Sequence, residues 1–272
     1  MRRIWFIADD YGFAPGVSAG ILELIELGRL SGTGCMPLYA DWPDQARRLR
    51  SHASEAAIGL HLTLTDQPAL SGASALAPQG KLPSFGNLVA GIATGRIRDA
   101  DIHAEIDAQL ARFGDDIGTP PAYVDGHQHV HFLPPVRRWL KRIASKDGTS
   151  RPWLRGAPAR PALGAASAAK ISTVRAFAAR FDVSMRAAGY DVIGPLSGFY
   201  DWSRPGGFVP ALEQALRQLP DRSLFMCHPG HVDELLLARD SFTHQREAEL
   251  SLLKSGGFTE MLEAHGAAVM RP

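Results

Sequence analysis

The fold is indicated by one stretch near the start of the sequence, residues 4–12, which reads IWFIADDYG. Its five leading apolar residues predict a strand that is buried on both faces, as in the parallel sheet of an α/β protein. Gly12 permits a turn after this strand, and Pro15 suits the first turn of a following helix. The stretch therefore predicts the first strand–helix unit of an α/β fold.

Two adjacent carboxylates, Asp9 and Asp10, lie where this strand ends. They are costly to desolvate side by side without a cation. The C-terminal mouth of a first parallel strand is also where α/β enzymes place their chemistry. Alternatively, the two residues merely cap the following helix, which is a common use of Asp. This stretch alone leaves both interpretations open.

The remaining strands are predicted where short aliphatic and β-branched runs lie between helical patterns. These runs are Thr33–Tyr39, Ala56–Thr65, Ala122–Val130, Trp153–Gly156, Asp191–Gly194, Ser223–Cys227 and Ala267–Met270. Their alternation with helices predicts an α/β fold, a TIM-like (β/α) barrel that is distorted or seven-stranded. Residues 1–272 are expected to form a single domain. Residues 66–95, rich in Gly, Pro, Ser and Ala, are expected to be a long loop near the active site.

Composition excludes several classes of function. The formal net charge of +1 gives no electrostatic footprint for nucleic acid or an anionic membrane. Cys35 and Cys227 lack C-x-x-C spacing and are expected to be two buried thiols in a reducing compartment. The apolar run at the N-terminus is too short for a signal peptide, and no transmembrane segment is predicted. We therefore expect a cytoplasmic protein.

Histidines interrupt or follow three of the later strands. His61 lies in the apolar run GLHLTLT, and His228 stands where Pro229 must end a strand. If residues 125–131 (DGHQHVH) are extended, Asp125 and the three histidines share one face, because side chains alternate along a strand. Each has a structural alternative: a hydrogen-bonded core imidazole for His61, a turn residue for His228, and an orienting or solvent-facing role for some histidines of the run.

Taken together, these polar groups indicate one shared site. In a parallel barrel all C-terminal strand ends open on one rim, so the groups from four strands converge there. One Asp and two His around a divalent cation leave positions for water and substrate. A second Asp is then available as a base, and a more remote His as an acid. Spacing alone does not choose between Asp9 and Asp10, nor between His127 and His129.

Five segments carry a resemblance that covers nearly the whole chain in order. They are ADDYG (8–12), GLHLTL (59–64), VDGHQHVHFLP (124–134), HPGHVD (228–233) and HQREAEL (244–250). Together they resemble the YdjC-like family of carbohydrate deacetylases. Tyr11 departs from the pattern, because the family usually has Phe there.

The resemblance implies a carbohydrate N-deacetylase with a barrel related to the NodB-type polysaccharide deacetylases. It implies one divalent metal ion, Mg²⁺ or Zn²⁺, held by Asp10, His61 and His127. Asp9 would be the general base, and His228 the acid for the leaving amine. The substrate would be an N-acetylated amino sugar, on a chitobiose-like oligosaccharide, another glycan or a glycolipid headgroup.

Other residues are expected to support the site. Asp125 orients a metal-ligating imidazole, and Arg155 contacts a sugar hydroxyl or is a plain surface arginine. His129 and Tyr11 are expected to support the ligands or contact substrate. Trp42 and Trp153 either stack on sugar rings or belong to the core, and the core is favoured.

Two rival functions remain open. The first is a metal-dependent phosphoesterase or amidohydrolase, which would bind about two metal ions per chain rather than about one. The second is a catalytically silent sugar-binding protein, against which Asp9 argues, because binding alone needs no second carboxylate. The oligomeric state is open, and a homo-oligomer is compatible with the sequence.

Overall fold

The computed structural model describes residues 1–72, 74–144, 151–159, 164–203 and 205–272. Every strand pairing in this part of the chain is parallel. The strands are β1 (Arg2–Tyr11), β2 (Gly32–Cys35), β3 (Ala57–Leu62), β4 (Tyr123–Gly126), β5 (Trp153–Arg155), β6 (Val192–Ile193), β7 (Leu196–Ser197), β8 (Leu224–Cys227) and β9 (Ala267–Val269).

The strands form a nearly closed barrel. Their hydrogen-bonded order is β6-β5-β4-β3-β2-β1-β8-β7, and β9 pairs with the start of β1. Because only Gly194 and Pro195 separate β6 from β7, the two ends of this order meet in the chain. The predicted distorted (β/α) barrel is confirmed. Its path has eight strands because the short β7 pairs with β8.

Helices cross between most strands, as the alternation predicted. They are α1 (Pro15–Glu26), α2 (Trp42–Arg50), α3 (Phe85–Ala93), α4 (Asp99–Ile117), α5 (Pro134–Ala144), α6 (Gly164–Phe177), α7 (Phe181–Ala187), α8 (Phe208–Gln218), α9 (Glu234–Arg239), α10 (Arg246–Lys254) and α11 (Gly256–Ala264), with one 3₁₀ helix (His127–Phe132). Within the described ranges, no helix has the length and apolar character needed to cross a membrane.

The N-terminus of α1 shows whether Asp9 and Asp10 cap this helix. It begins at Pro15, as predicted, and its N-cap is Ala14, with no side-chain hydrogen bond to the helix. Asp9 and Asp10 therefore do not cap α1, and that interpretation is wrong. Their carboxylates are therefore available to a site at the end of β1.

The barrel core is built on β1, whose residues 4–8 are buried on both faces. Trp42 stacks on Phe113, and Trp153 stacks on Tyr123 with ring centroids 4.2 Å apart. The core role favoured for these two tryptophans is thus confirmed. Both cysteines are buried free thiols, as expected.

Several sequence predictions of secondary structure were wrong in their bounds or type; the strand expected over Thr33–Tyr39, for example, ends at Cys35. The strand expected over Ala122–Val130 ends at Gly126 and is replaced by the 3₁₀ helix. The loop expected over residues 66–95 contains α3, whose apolar residues Leu88 and Gly91 are buried. Residue 73 of that loop lies outside the described residues. Small and polar residues around a short apolar run concealed this helix.

Candidate active site

The candidate site is a cavity of about 690 Å³ at the C-terminal ends of the barrel strands. Asp9 and Asp10 enter it from β1, and His61 from β3. His127 follows β4 and His228 follows β8, so four strand ends contribute, as the barrel geometry predicted.

An irregularity in β1 lets both carboxylates reach the same cavity. Neighbouring side chains in a regular strand point to opposite faces. Here the pairing of β1 with β2 shifts register between Ala8 and Tyr11, and Asp10 has a φ of 72°. Such a bulge redirects side chains at the end of a strand. The side chains of Asp9 and Asp10 therefore reach the same cavity instead of pointing to opposite faces of the sheet.

Three side chains form a group that fits a metal ion. The ligand atoms of Asp10, His61 and His127 all lie within 4.8 Å of one another. Asp10 Oδ1 is 3.5 Å from His61 Nε2 and 3.2 Å from His127 Nδ1. One carboxylate and two imidazoles are a donor set that divalent cations accept.

His61 is held in an orientation suited to ligation. Its Nδ1 lies 2.7 Å from Asp125 Oδ1, so the Nδ1–H donates a hydrogen bond to this carboxylate and Nε2 faces Asp10. Burial alone would lower the pKa of His61, but Asp125, Asp9 and Asp10 outweigh it and raise this pKa to about 9. The surroundings of this imidazole thus favour positive charge.

Asp9 is clamped by Arg155. The guanidinium donates to both carboxylate oxygens, at 2.8 and 2.5 Å, and also contacts Asp125. Burial raises the pKa of Asp9 above its ordinary value, although Arg155 opposes this rise. Arg155 is fully buried, so the surface-arginine alternative is wrong.

Asp10 has a different electrostatic environment. Its Oδ2 accepts a hydrogen bond from Arg246 Nη2 at 2.8 Å. Burial favours the neutral form of Asp10, but Arg246 and the nearby imidazoles outweigh it and hold the pKa well below its usual range. Asp10 is therefore ionised, which a metal ligand requires.

His228 lies beside Asp9 in the cavity wall, with Nε2 3.8 Å from Asp9 Oδ2. Its backbone N–H donates to Glu249 Oε2 at 2.6 Å, and Tyr200 donates its hydroxyl proton to the other oxygen of Glu249. Trp202 contacts the imidazole edge to face, with centroids 4.6 Å apart. The ring is 20% exposed, so it is reachable from the cavity.

The histidine run does not share one face, which corrects the expectation for residues 125–131. Gln128 and His129 have φ values of 50° and 60°, so the chain turns sharply after His127. His129 lines the cavity beside Phe199. His131 points into the core, where burial lowers its pKa to about 3. Only one histidine of the run therefore belongs to the metal-binding group found in the described ranges.

Tyr11 is buried under the site and lies outside the cavity lining described for this structure. Its hydroxyl donates to the carbonyl of Gln45 at 2.8 Å, and its ring packs against Trp42. A Phe at this position would keep the ring contact.

Sequence reasoning assigned no role to Arg246, Glu249, Tyr200 or Trp202. Arg246 and Glu249 lie in the HQREAEL segment, three residues apart on one face of α10, and both are buried. Charged residues at helical spacing on a buried face are a usable signal of pairing. Their partners cannot be read from the helix itself.

A family model described as "YdjC-like protein" matches residues 3–264. The chain is 26% identical to a chitooligosaccharide deacetylase of Klebsiella pneumoniae (strain 342), over 98% of this chain and 96% of that protein. It is 29% identical to a carbohydrate deacetylase of Geobacillus stearothermophilus, over 90% and 86% of the two chains.

A solved structure from Enterococcus faecalis V583 shares the fold. It is described as a candidate cellobiose-phosphate cleavage protein, and it superposes with a TM-score of 0.76 at 20% identity, over 99% of this chain and 97% of that one. The resemblance in the five sequence segments is confirmed by the family match: this chain belongs to the YdjC-like family.

Proposed function

We propose that this chain is a metal-dependent carbohydrate deacetylase, which hydrolyses the N-acetyl group of an amino sugar and releases acetate. The observation that carries the proposal is the meeting of Asp10, His61 and His127 beside a second carboxylate, Asp9, inside one cavity. The two relatives described above are both named deacetylases, which supports the same class of reaction.

A single divalent cation suits this site. Two imidazoles favour Zn²⁺, while a carboxylate also suits Mg²⁺ or Mn²⁺. Asp9, His61 and Asp125 form a second group of closely spaced ligand atoms. Arg155 contacts both carboxylates of that group, and its fixed positive charge disfavours a second cation there. This argues against the two-metal phosphoesterase or amidohydrolase alternative.

A bound cation would polarise the acetamide carbonyl and lower the pKa of a water molecule. Asp9 would take the proton of the attacking water, and burial supports this role by making its carboxylate a better proton acceptor. Arg155 keeps both oxygens of Asp9 in place throughout. Such a held base is not needed for sugar binding alone, which weighs against the silent-binder alternative.

His228 would protonate the amine that leaves the substrate. Its ring lies beside Asp9, at the end of the neighbouring strand β8, and is open to the cavity. Glu249 fixes the backbone of His228, and Trp202 fixes the ring from its edge. Two groups suited to proton exchange thus lie next to each other at the ends of the paired strands β1 and β8.

The substrate would be an N-acetylated sugar or glycan. The cavity volume falls within the range of small-molecule sites. The segment 66–95 contributes Asp66, Gln67 and Phe85 to its lining, which supports a role for this segment in substrate choice. A cytoplasmic location belongs to the same proposal, since Cys35 and Cys227 are free thiols.

Acetate release from N-acetylglucosamine oligomers tests the proposal. The purified protein is measured as prepared, after dialysis against a chelator, and after Zn²⁺ or Mg²⁺ is restored. We expect acetate release that chelation removes and metal restores. No release from any oligomer in the metal-loaded state, or a rate that chelation leaves unchanged, contradicts the proposal.

A further inference from the structure

Arg246, in the first turn of α10, lies between two carboxylates. Its Nη2 donates to Asp10 Oδ2 at 2.8 Å and contacts Asp240 Oδ2 at 3.2 Å. The side chain is only 1% exposed, and it approaches the rings of Phe13 and Trp202 at 5.8 and 5.9 Å. Arg246 is thus a buried cation directly behind a proposed metal ligand.

The two oxygens of Asp10 have separate partners. Oδ1 faces the nitrogens of His61 and His127, at 3.5 and 3.2 Å. Oδ2 accepts the hydrogen bond of Arg246 at 2.8 Å. A carboxylate held in this way offers one oxygen to a cation instead of two.

We propose that Arg246 restricts Asp10 to single-oxygen ligation and keeps a fixed positive charge next to the bound cation. As a result, the site binds the cation less tightly, and the bound cation is a stronger electrophile. The inference rests on the proposed function for the identity of the ligands. Arg246 is a positioning residue here, because it acts through Asp10.

Arg246 reaches its two carboxylates through Nη2 alone. Its Nε and Nη1 are buried and have no hydrogen-bond partner within the described ranges. Asp240, its second acidic contact, is 17% exposed and therefore better screened by water. Within a low-dielectric environment, the fixed positive charge of the guanidinium repels a nearby divalent cation. The carboxylate of Asp10 is shared between the arginine and the cation, so less of its charge is available to either.

The test is Zn²⁺ affinity, measured by calorimetric titration of the metal-free protein and its variants. Arg246→Gln removes the positive charge and frees Oδ2, so we expect binding to be roughly tenfold tighter, together with a lower kcat for acetate release. Arg246→Lys keeps the charge and should stay within about threefold of the original affinity. Asp240→Asn removes an opposing negative charge and should weaken binding by roughly threefold.

These directions separate the proposal from a merely structural role, in which Arg246→Gln would loosen Asp10 and weaken binding. Unchanged or weaker Zn²⁺ binding by a folded Arg246→Gln protein overturns the inference. If that variant does not fold, stronger binding by Asp240→Asn overturns it instead. A wild-type protein that binds Zn²⁺ but releases no acetate contradicts the proposed function alone, while a protein that binds no divalent metal contradicts both.

Discussion

Asp9 and Asp10 are neighbours of one type with opposite electrostatic behaviour. Both are buried, yet the pKa of Asp9 is raised by that burial, whereas Arg246 and the imidazoles hold the pKa of Asp10 well below its usual range. The difference follows from their partners. Asp9 shares Arg155 with a second fully buried carboxylate, Asp125, which raises its pKa, whereas Asp10 has the imidazole of His127 as a partner in addition to Arg246. One carboxylate therefore suits proton transfer and the other suits ligation.

Asp9→Asn tests this division of roles. The amide cannot accept the proton of water, so we expect acetate release to fall by about 100-fold or more. Metal content should be unchanged, because Asp10, His61 and His127 are intact. Inductively coupled plasma analysis and an acetate assay on the same preparation measure both quantities. The matched variant Asp10→Asn should instead lose the metal. Turnover by Asp9→Asn at the wild-type rate would show that Asp9 is not the base.

The sequence predicted that Asp9 and Asp10 belong to the site, but spacing alone did not assign their roles. Alternation along a regular strand would put one of them on each face. The positive φ of Asp10 removes that alternation, and no residue type in the stretch announces it. Only the resemblance to family motifs proposed which carboxylate binds the metal.

At the scale of elements, α10 supports both Asp10, through Arg246, and His228, through Glu249. Glu249 is buried and receives hydrogen bonds from the His228 amide and the Tyr200 hydroxyl. Burial raises the pKa of Glu249 to about 7, although both hydrogen bonds oppose that rise. The helix thus places a proton-binding carboxyl group under the backbone of the proposed acid.

This arrangement predicts a pH dependence of stability. The folded protein keeps a proton on Glu249 that the unfolded chain releases near pH 4.5, so stability contributed by this group falls as pH rises from about 4.5 to about 7. The loss is on the order of 3 kcal/mol. In Glu249→Gln, an uncharged amide replaces the carboxyl group, and this contribution should vanish.

Urea unfolding of the wild type and Glu249→Gln at pH 5 and pH 7.5 measures the effect. The wild type should lose more free energy of unfolding between the two conditions than the variant does. Other buried carboxyls, such as Asp9, contribute equally to both proteins and cancel in the comparison. An identical pH dependence in the two proteins would exclude a raised pKa for Glu249.

Elements were predicted well where periodicity was strong and poorly where the backbone turned. The strand β1 was expected from its apolar run, and the start of α1 from Pro15. The turn after His127 was missed, because Gln128 and His129 rarely adopt positive φ and give no turn signal. Tertiary contacts decide such positions, including the packing of His131 against Phe132 and Phe181.

At the scale of the molecule, barrel closure turns distant segments into one site. Asp9 and Arg155 are 146 residues apart in sequence, and Asp10 and Arg246 are 236 residues apart. The alternation of strands and helices predicted that strand ends would converge, and this geometry is observed. The alternation of strands and helices could not predict which arginine would pair with which carboxylate, because those pairings depend on side-chain packing across the barrel.

The central claim is that Asp10, His61 and His127 hold one cation between three strand ends. The most direct test is the metal content of the Zn²⁺-loaded and dialysed protein. We expect about one ion per chain in the wild type and almost none in Asp10→Ala and His61→Ala, while Glu249→Gln, a variant outside the ligand group, should retain it. Metal retained by both ligand variants, or about two ions per wild-type chain, would contradict the account.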